Sequence, residues 1–95
     1  MAVKVIIKRM VPKEKEAGLE PLLIQLRALA IAQPGYISGE TLRNMENPKE
    51  SLVIGTWQSA DNWRTWHSSK QRAEIQEKID SLLGVTTDYS TYFYG

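Results

Sequence analysis

Four segments of this chain have the pattern of β-strands. Residues 3–10, 36–43, 52–57 and 85–94 are rich in β-branched or aromatic residues and are bounded by proline, glycine or polar turns. In the first segment, alternation places Val3, Val5 and Ile7 on one face. In the second, it predicts that Tyr36 shares a face with Ser38. The third segment is apolar on both faces, so we expect both sides of the sheet to be covered near its centre.

A first helical region lies between the first two strands. Residues 13–32 carry leucines at three-to-four spacing, and the pattern stops at the Pro34-Gly35 pair. A proline inside a helix costs roughly 3 kcal/mol. Because of Pro21, we expect a looser turn at first and a regular helix from about Leu19.

A second helical region follows the third strand and divides into two helices. Ser59 is suited to cap residues 60–68, and Ser69 is suited to cap residues 70–83. Gly84 can end the second helix because glycine readily adopts the left-handed conformation. The order is therefore strand, helix, strand, strand, helix pair, strand. It predicts an α+β fold, the ferredoxin-like β-α-β-β-α-β sandwich, with an antiparallel four-stranded sheet and helices on one face.

The second face of such a sheet needs a cover that the chain does not supply. Ile6 and either Val53 or Ile54 are expected to lie there. A second copy of the chain, sheet against sheet, is the simplest way to bury them, so we predict a homodimer. Three tyrosines near the C-terminus are assigned to the same interface, Tyr89, Tyr92 and Tyr94, with the alternative that Tyr89 reaches the pocket.

Composition narrows the possible functions. The 95 residues, read as one domain over 1–95, carry a net charge of +1, which gives no basis for nucleic acid or an anionic membrane as partner. The absence of cysteine excludes disulfides and thiolate chemistry, and a single histidine argues against a zinc or transition-metal site. The N-terminal sequence, MAVKVIIKRM, resembles neither a signal peptide nor a membrane span, so a cytoplasmic location is expected.

The three tryptophans and the only histidine fall within one short stretch of the chain. Trp63 and Trp66 are three residues apart and share one side of a helix, while Trp57 ends the third strand. Such indoles either pack in the core or form the wall of a pocket for a flat aromatic ligand. An open cavity lined by them and by an ionisable group would favour an enzyme, whereas a closed one would favour a structural role.

Two polar residues beside the tryptophans are candidates for proton handling. His67 has a side chain that titrates near neutral pH, and it follows Trp63 by one helical turn. The alternative for His67 is an ordinary position at a helix end, where the helix dipole favours it. Asn62 either orients a substrate or takes part in capping the N-terminus of the helix.

The sequence AQPGYISGETLRN after the first helix, and SADNWRTWHSSKQR after a strand-end tryptophan, resemble the antibiotic biosynthesis monooxygenase (ABM) superfamily. The resemblance covers nearly the whole chain. It implies a dimeric α+β barrel with a pocket between the helices and the sheet of each subunit. Oxygenases of the family act on polycyclic phenols, quinols or anthrones without metal or flavin, so no cofactor is expected. The deprotonated substrate reacts with oxygen itself, and the protein supplies a dry pocket, orientation and proton handling.

The resemblance also assigns positions within the site. Trp57 matches the tryptophan that lines the oxygenase pocket at the end of the third strand. Trp63 and Val53 stand where polyketide-tailoring members have a tyrosine and an asparagine. Trp66 is similar to the tryptophan that distorts haem in the haem-degrading branch. In that branch the axial histidine falls about ten residues later, where this chain has Ile75 and Gln76.

These observations give a first functional hypothesis and two alternatives. The first is a cofactor-independent monooxygenase that acts on a hydrophobic phenolic or quinol-type small molecule. In it, Trp57, Trp63 and Trp66 bind the substrate, and His67 and Asn62 are catalytic. The first alternative is a non-catalytic dimeric module that binds a small ligand or is structural. A haem-degrading monooxygenase is the second alternative.

Overall fold

The computed structural model describes residues 1–95, and its strands lie close to those expected. They are β1 (Val3–Met10), β2 (Tyr36–Arg43), β3 (Glu50–Trp57) and β4 (Asp88–Phe93). All neighbours pair antiparallel, in the order β2-β3-β1-β4. This is the predicted ferredoxin-like α+β fold, with a four-stranded antiparallel sheet. The last strand is shorter than expected, because it begins at Asp88 and not at Val85.

The first helix begins earlier than the sequence suggested. A 3₁₀ turn at Lys13–Lys15 leads directly into α1 (Glu16–Ile31), and Pro21 lies inside this helix. The proline removes the N–H that would bond the carbonyl of Ala17, an exposed residue in the first turn of the helix. Lys15 Nζ also donates a hydrogen bond of 2.7 Å to the carbonyl of Leu82, which holds the start of this region against the last helix.

The helix pair after β3 forms as predicted. It comprises α2 (Ala60–His67) and α3 (Lys70–Leu83). Ser59 Oγ accepts the Asn62 N–H at 3.1 Å, and Ser69 Oγ accepts the Arg72 N–H at 3.2 Å. Gly84 ends α3 with φ 72°, in the left-handed region. None of the helices has both the length and the apolar character that crossing a membrane demands.

A bulge in β2 changes which of its side chains face the helices. Tyr36 is paired with Trp57 and Gly39 with Gly55, and the register shifts between Tyr36 and Ser38. Tyr36 therefore shares the helix-facing side with Gly39, and the strict alternation that grouped it with Ser38 is wrong. The inward Tyr36 requires a glycine at position 39 of the same strand, because a Cβ on Gly39 would lie 2.7 Å from Tyr36 Oη.

The core consists of two clusters on the helix-facing side. One joins β1, the end of β3 and α2, and it consists of Val3, Val5, Trp57, Trp63 and Trp66. The other joins α1 to α3 and consists of Val11, Leu19, Ile75, Ile79 and Leu83. Leu26 and Leu29 of α1 pack against both clusters, so α1 connects them.

The opposite side of the sheet carries no helix. Ile6 pairs with Ile54 across β1 and β3, so Ile54 and not Val53 lies on this open face. Tyr92, which is opposite Lys4, belongs to the same face and is exposed. Tyr89 instead pairs with Ile7 and turns toward the helices, where it contacts His67. Its assignment to a dimer interface was therefore wrong, because its place in the alternation of β4 is opposite to that of Tyr92.

Candidate functional site

A cavity of about 440 Å³ lies between α1 and the sheet, a volume suited to a small organic molecule. Leu23, Leu26 and Ala30 of α1 line one side, and Val53 and Gly55 of β3 line the opposite side. Nine of its 15 lining residues are hydrophobic, so the cavity favours an apolar ligand. The glycine in β3 leaves space where a larger side chain would fill the floor.

All three tryptophans border this cavity and belong to the core at the same time. Trp57, Trp63 and Trp66 have exposures of 2%, 6% and 4%, respectively. The ring of Trp57 lies 5.9 Å from that of Trp63 and meets it at 60°. Tyr36, which the bulge turns inward, meets Trp57 edge-on at 5.4 Å and also lines the cavity. The same three indoles thus pack in the core and form part of the cavity wall.

His67 lies beside the wall of the cavity and is not part of its lining. Its ring stacks on Trp63 at 5.0 Å and meets Tyr89 at 4.7 Å. Burial lowers the pKa of His67 below its ordinary value, and the nearby Arg72 guanidinium lowers it further. The imidazole is therefore neutral at pH 7 and able to accept a proton.

Asn62 also does not line the cavity, and its side chain contacts neighbouring residues instead. Its Oδ1 accepts the Ser59 hydroxyl at 2.6 Å, at the start of α2. Its side chain packs on Gly35, where an added Cβ would overlap it. The catalytic roles assigned to Asn62 and His67 remain predictions.

Arg9 is the buried charged residue of the cavity, and sequence reasoning missed it; Arg27 and Glu40 also border the cavity but are not buried. It lines the cavity, has an exposure of 4%, and its Nε lacks a hydrogen-bond partner. Burial lowers the pKa of its guanidinium, although an arginine stays protonated at neutral pH. The alternation of β1 contained the signal, since Arg9 continues the inward-facing series of Val3, Val5 and Ile7.

A polar network on α3 supports the residues around the cavity. Arg72 Nε donates to the carbonyl of His67 at 2.7 Å, and its Nη1 donates to Tyr89 Oη at 2.8 Å. The same guanidinium lies over the Tyr89 ring at 5.2 Å. These bonds fix the end of α2 relative to β4, and they hold His67 against its aromatic neighbours.

The residues present do not fit a haem site. Gln76, one of the two residues expected where the haem-degrading branch has its axial histidine, donates to Asp80 Oδ1 and Thr87 Oγ1, each at 2.9 Å. Ile75 packs in the core and offers no ligand atom. Neither residue borders the cavity, and no histidine lines it. The side chains also form no group of three or more His, Asp or Glu that could hold a metal ion.

The family model for antibiotic biosynthesis monooxygenase matches residues 2–78 of this chain. The chain belongs to the ABM family. Protein SchA of Streptomyces halstedii is 31% identical over 52 residues, which are 55% of this ABM chain and 14% of SchA. The chain thus corresponds to only a small part of that relative.

Solved structures show the same fold over the full length of the ABM chain. A conserved protein from Methanosarcina mazei Go1 superposes with a TM-score of 0.90 at 21% identity, over 100% of this chain and 94% of the other. SnoaB, a cofactor-independent oxygenase from Streptomyces nogalater, superposes with a TM-score of 0.80 at 17% identity, over 99% of this chain and 93% of the other. Rv0793 from Mycobacterium tuberculosis superposes with a TM-score of 0.84 at 16% identity, over 100% of this chain and 96% of the other. At these identities the similarity concerns the fold alone.

Proposed function

We propose that this ABM protein is a cofactor-independent monooxygenase that acts on a hydrophobic phenolic or quinol-type small molecule. The observation that carries the proposal is an open cavity of about 440 Å³ that combines an aromatic wall with a buried ionisable group, Arg9. A cavity closed off by its own tryptophans would have favoured a structural role. Family membership adds support, because the matching family model is that of a monooxygenase.

The proposed chemistry takes all its electrons from the substrate. In an anthrone, for example, the methylene between two rings becomes a carbonyl that keeps one atom of O₂. The other oxygen atom leaves as water with the two methylene hydrogens. The protein then has to exclude water, orient the substrate and assist the loss of a proton. Trp57, Trp63 and Trp66 would hold the rings of the substrate by stacking.

Proton handling by His67 is a secondary part of the proposal. The lowered pKa keeps its imidazole neutral near pH 7, which is the form that acts as a base. Its stacking on Trp63 brings it next to the cavity wall. Asn62 would act only by positioning Ser59 and the start of α2.

Oxygen uptake by the purified, metal-stripped protein tests the proposal directly. A panel of anthrones and hydroquinones should give uptake above the spontaneous rate. Trp57→Ala and Trp66→Ala should lower this rate by about tenfold or more, because they release the substrate from its reactive orientation. Met45→Ala, at an exposed loop position, should leave it unchanged.

The tryptophan variants lose stability, and this loss determines which controls the experiment needs. Replacing a core tryptophan by alanine costs about 3–5 kcal/mol. Trp57→Phe and Trp66→Phe keep more of the packing and serve when an alanine variant does not fold. If uptake equals the spontaneous rate for the whole panel, and calorimetry detects no binding of these compounds, the proposal is wrong.

A non-catalytic module that binds a small ligand is the second candidate. It is favoured by the position of His67 and Asn62 outside the cavity lining. Calorimetry separates the candidates: saturable binding of an aromatic compound without oxygen consumption would favour the module.

We further propose that a second copy of the chain covers the open face of the sheet. Ile6 and Ile54 form its apolar centre, and Leu42 and Tyr92 add exposed apolar surface around them. Burying such a surface against an identical one is the common solution for a sheet with one bare face.

A further inference from the structure

The cavity has an aromatic end and a cationic end. Trp57 pairs with Val3 at one end of the β1–β3 ladder, and Arg9 pairs with Ser51 at the other. Trp57 and Ser51 are six positions apart in β3, so their Cα atoms lie roughly 20 Å apart at the rise of a strand. The lining between these ends is mostly apolar and includes Val53, with Thr41 and Glu40 of β2 at its side. An elongated ligand on this floor would contact indole rings at one end and a guanidinium at the other.

The Arg9 guanidinium can bind an anion, and no group of the chain itself supplies one. Its Nε has no hydrogen-bond partner, and none of the three salt bridges involves it. A buried charge without a counterion is unfavourable unless another group supplies the missing interaction. A guanidinium in a wall of low polarity interacts with an anion more strongly than one in water.

The charges around Arg9 leave an excess of positive charge. Arg72 and Asp80 act on it from α3. Arg27 of α1 and the exposed Glu40 of β2 border the same cavity. Asp80 accepts a hydrogen bond from Gln76 at 2.9 Å, and it forms no salt bridge with Arg9. Two carboxylates therefore stand against three guanidinium groups, which leaves one net positive charge that attracts an anion.

We propose that Arg9 is the anion-binding residue of the cavity and that a phenolic ligand binds there as its phenolate. This inference rests on the function proposed above and specifies the ionisation state of the substrate. The oxygen of the ligand accepts from the Arg9 guanidinium, while its ring system extends toward the tryptophans. The phenolic proton passes to solvent on binding, so the form that reacts with oxygen accumulates in the cavity. A base in direct contact with the substrate is then not required, in agreement with the position of His67 outside the lining.

The pKa of a bound phenol measures this effect without any turnover. A hydroxycoumarin is a suitable probe, because its phenol and phenolate absorb at different wavelengths. We expect the pKa of the bound probe to lie about 1–3 units below that of the free probe, as for an acid beside a cation. A shift of one unit corresponds to a tenfold preference for the phenolate.

Variants assign the shift to Arg9. Arg9→Met replaces the guanidinium by an apolar chain and should abolish the shift, while Arg9→Lys should keep part of it. Arg64→Met, which removes an exposed arginine paired with Asp61, should behave as the wild type. Circular dichroism identifies folded variants, and Arg9→Lys keeps the test valid if Arg9→Met does not fold.

The possible outcomes separate the inference from the proposed function. Binding of the probe with an unshifted pKa, or with the same shift in a folded Arg9 variant, would overturn the role of Arg9 and leave the aromatic pocket intact. Failure of both the probe and the parent coumarin, which lacks the hydroxyl, to bind in calorimetry would overturn the pocket, and with it this inference.

Discussion

His67 couples the packing of α2 to pH. Its ring lies against Trp63 and Tyr89, and burial together with Arg72 lowers its pKa in the folded protein. In the unfolded chain the imidazole has its ordinary pKa of about 6.5. The unfolded state therefore binds the proton more readily, and the folded state loses stability as the pH falls below about 6.5.

The free energy of unfolding should accordingly be lower at pH 5.5 than at pH 7.5. His67→Phe keeps an aromatic ring on Trp63 but cannot titrate, so the variant should lose less stability over the same interval. Urea denaturation at both pH values measures the difference, and carboxylates contribute equally to the two proteins. An identical loss in both proteins would contradict the lowered pKa.

Residue types and spacing predicted the aromatic half of the site but not the cationic half. Trp57, Trp63 and Trp66 stand out because indoles are large and few, and their spacing fixes them on one side. Arg9 lies in an alternation that was read for its apolar members alone. The position of His67 depends on Tyr89, which is distant in sequence, and on Arg72, which belongs to the next helix.

At the scale of elements, the turn before β2 is joined to the start of α2. Gly35 has φ 84°, and its carbonyl accepts the Gln58 N–H at 2.7 Å. The Asn62 side chain occupies the space beside its Cα. The turn thus fixes the first residue of β2, and with it the inward position of Tyr36.

Two glycine substitutions separate backbone strain from this contact. Gly84→Ala introduces a side chain at φ 72° with no atom within 4 Å, so it should cost about 1–2 kcal/mol. Gly35→Ala adds an overlap with Asn62 to the same strain and should cost a further 1–3 kcal/mol or so. Thermal and urea denaturation measure both losses, and equal losses would show that Asn62 does not constrain the turn.

The order of strands and helices could be predicted from the periodicity of apolar residues, whereas the bulge in β2 and the start of α1 could not. The caps Ser59 and Ser69 are local signals, so the bounds of α2 and α3 were predicted closely. The bulge in β2 depends on Tyr36 meeting Trp57 from another strand, and no local pattern contains that contact. The start of α1 depends likewise on Lys15 reaching Leu82.

At the scale of the molecule, the open face of the sheet is suited to pairing with itself. Its apolar centre, Ile6 and Ile54, is flanked by Lys8 on β1 and Glu40 on β2. In a two-fold contact each charge meets the partner copy of the same surface, so opposite charges can pair around an apolar centre.

Light scattering coupled to size exclusion should therefore give twice the 10.8 kDa of the chain. Ile54→Glu places a charge at the centre of the open face and should shift the protein toward the monomer mass. Ile31→Glu introduces the same charge at the exposed end of α1 and should leave the dimer intact. A wild-type protein of monomer mass at micromolar concentration would refute the dimer.

The concentration of every tryptophan around one cavity gives the protein a built-in optical reporter. The three indoles of the sequence all border the cavity, and none lies on the surface to dilute the signal. Their emission should be blue-shifted in the empty protein, and an aromatic guest should quench it in proportion to occupancy. Ligand screening on this molecule thus needs no label, because the chromophores and the binding site are the same atoms.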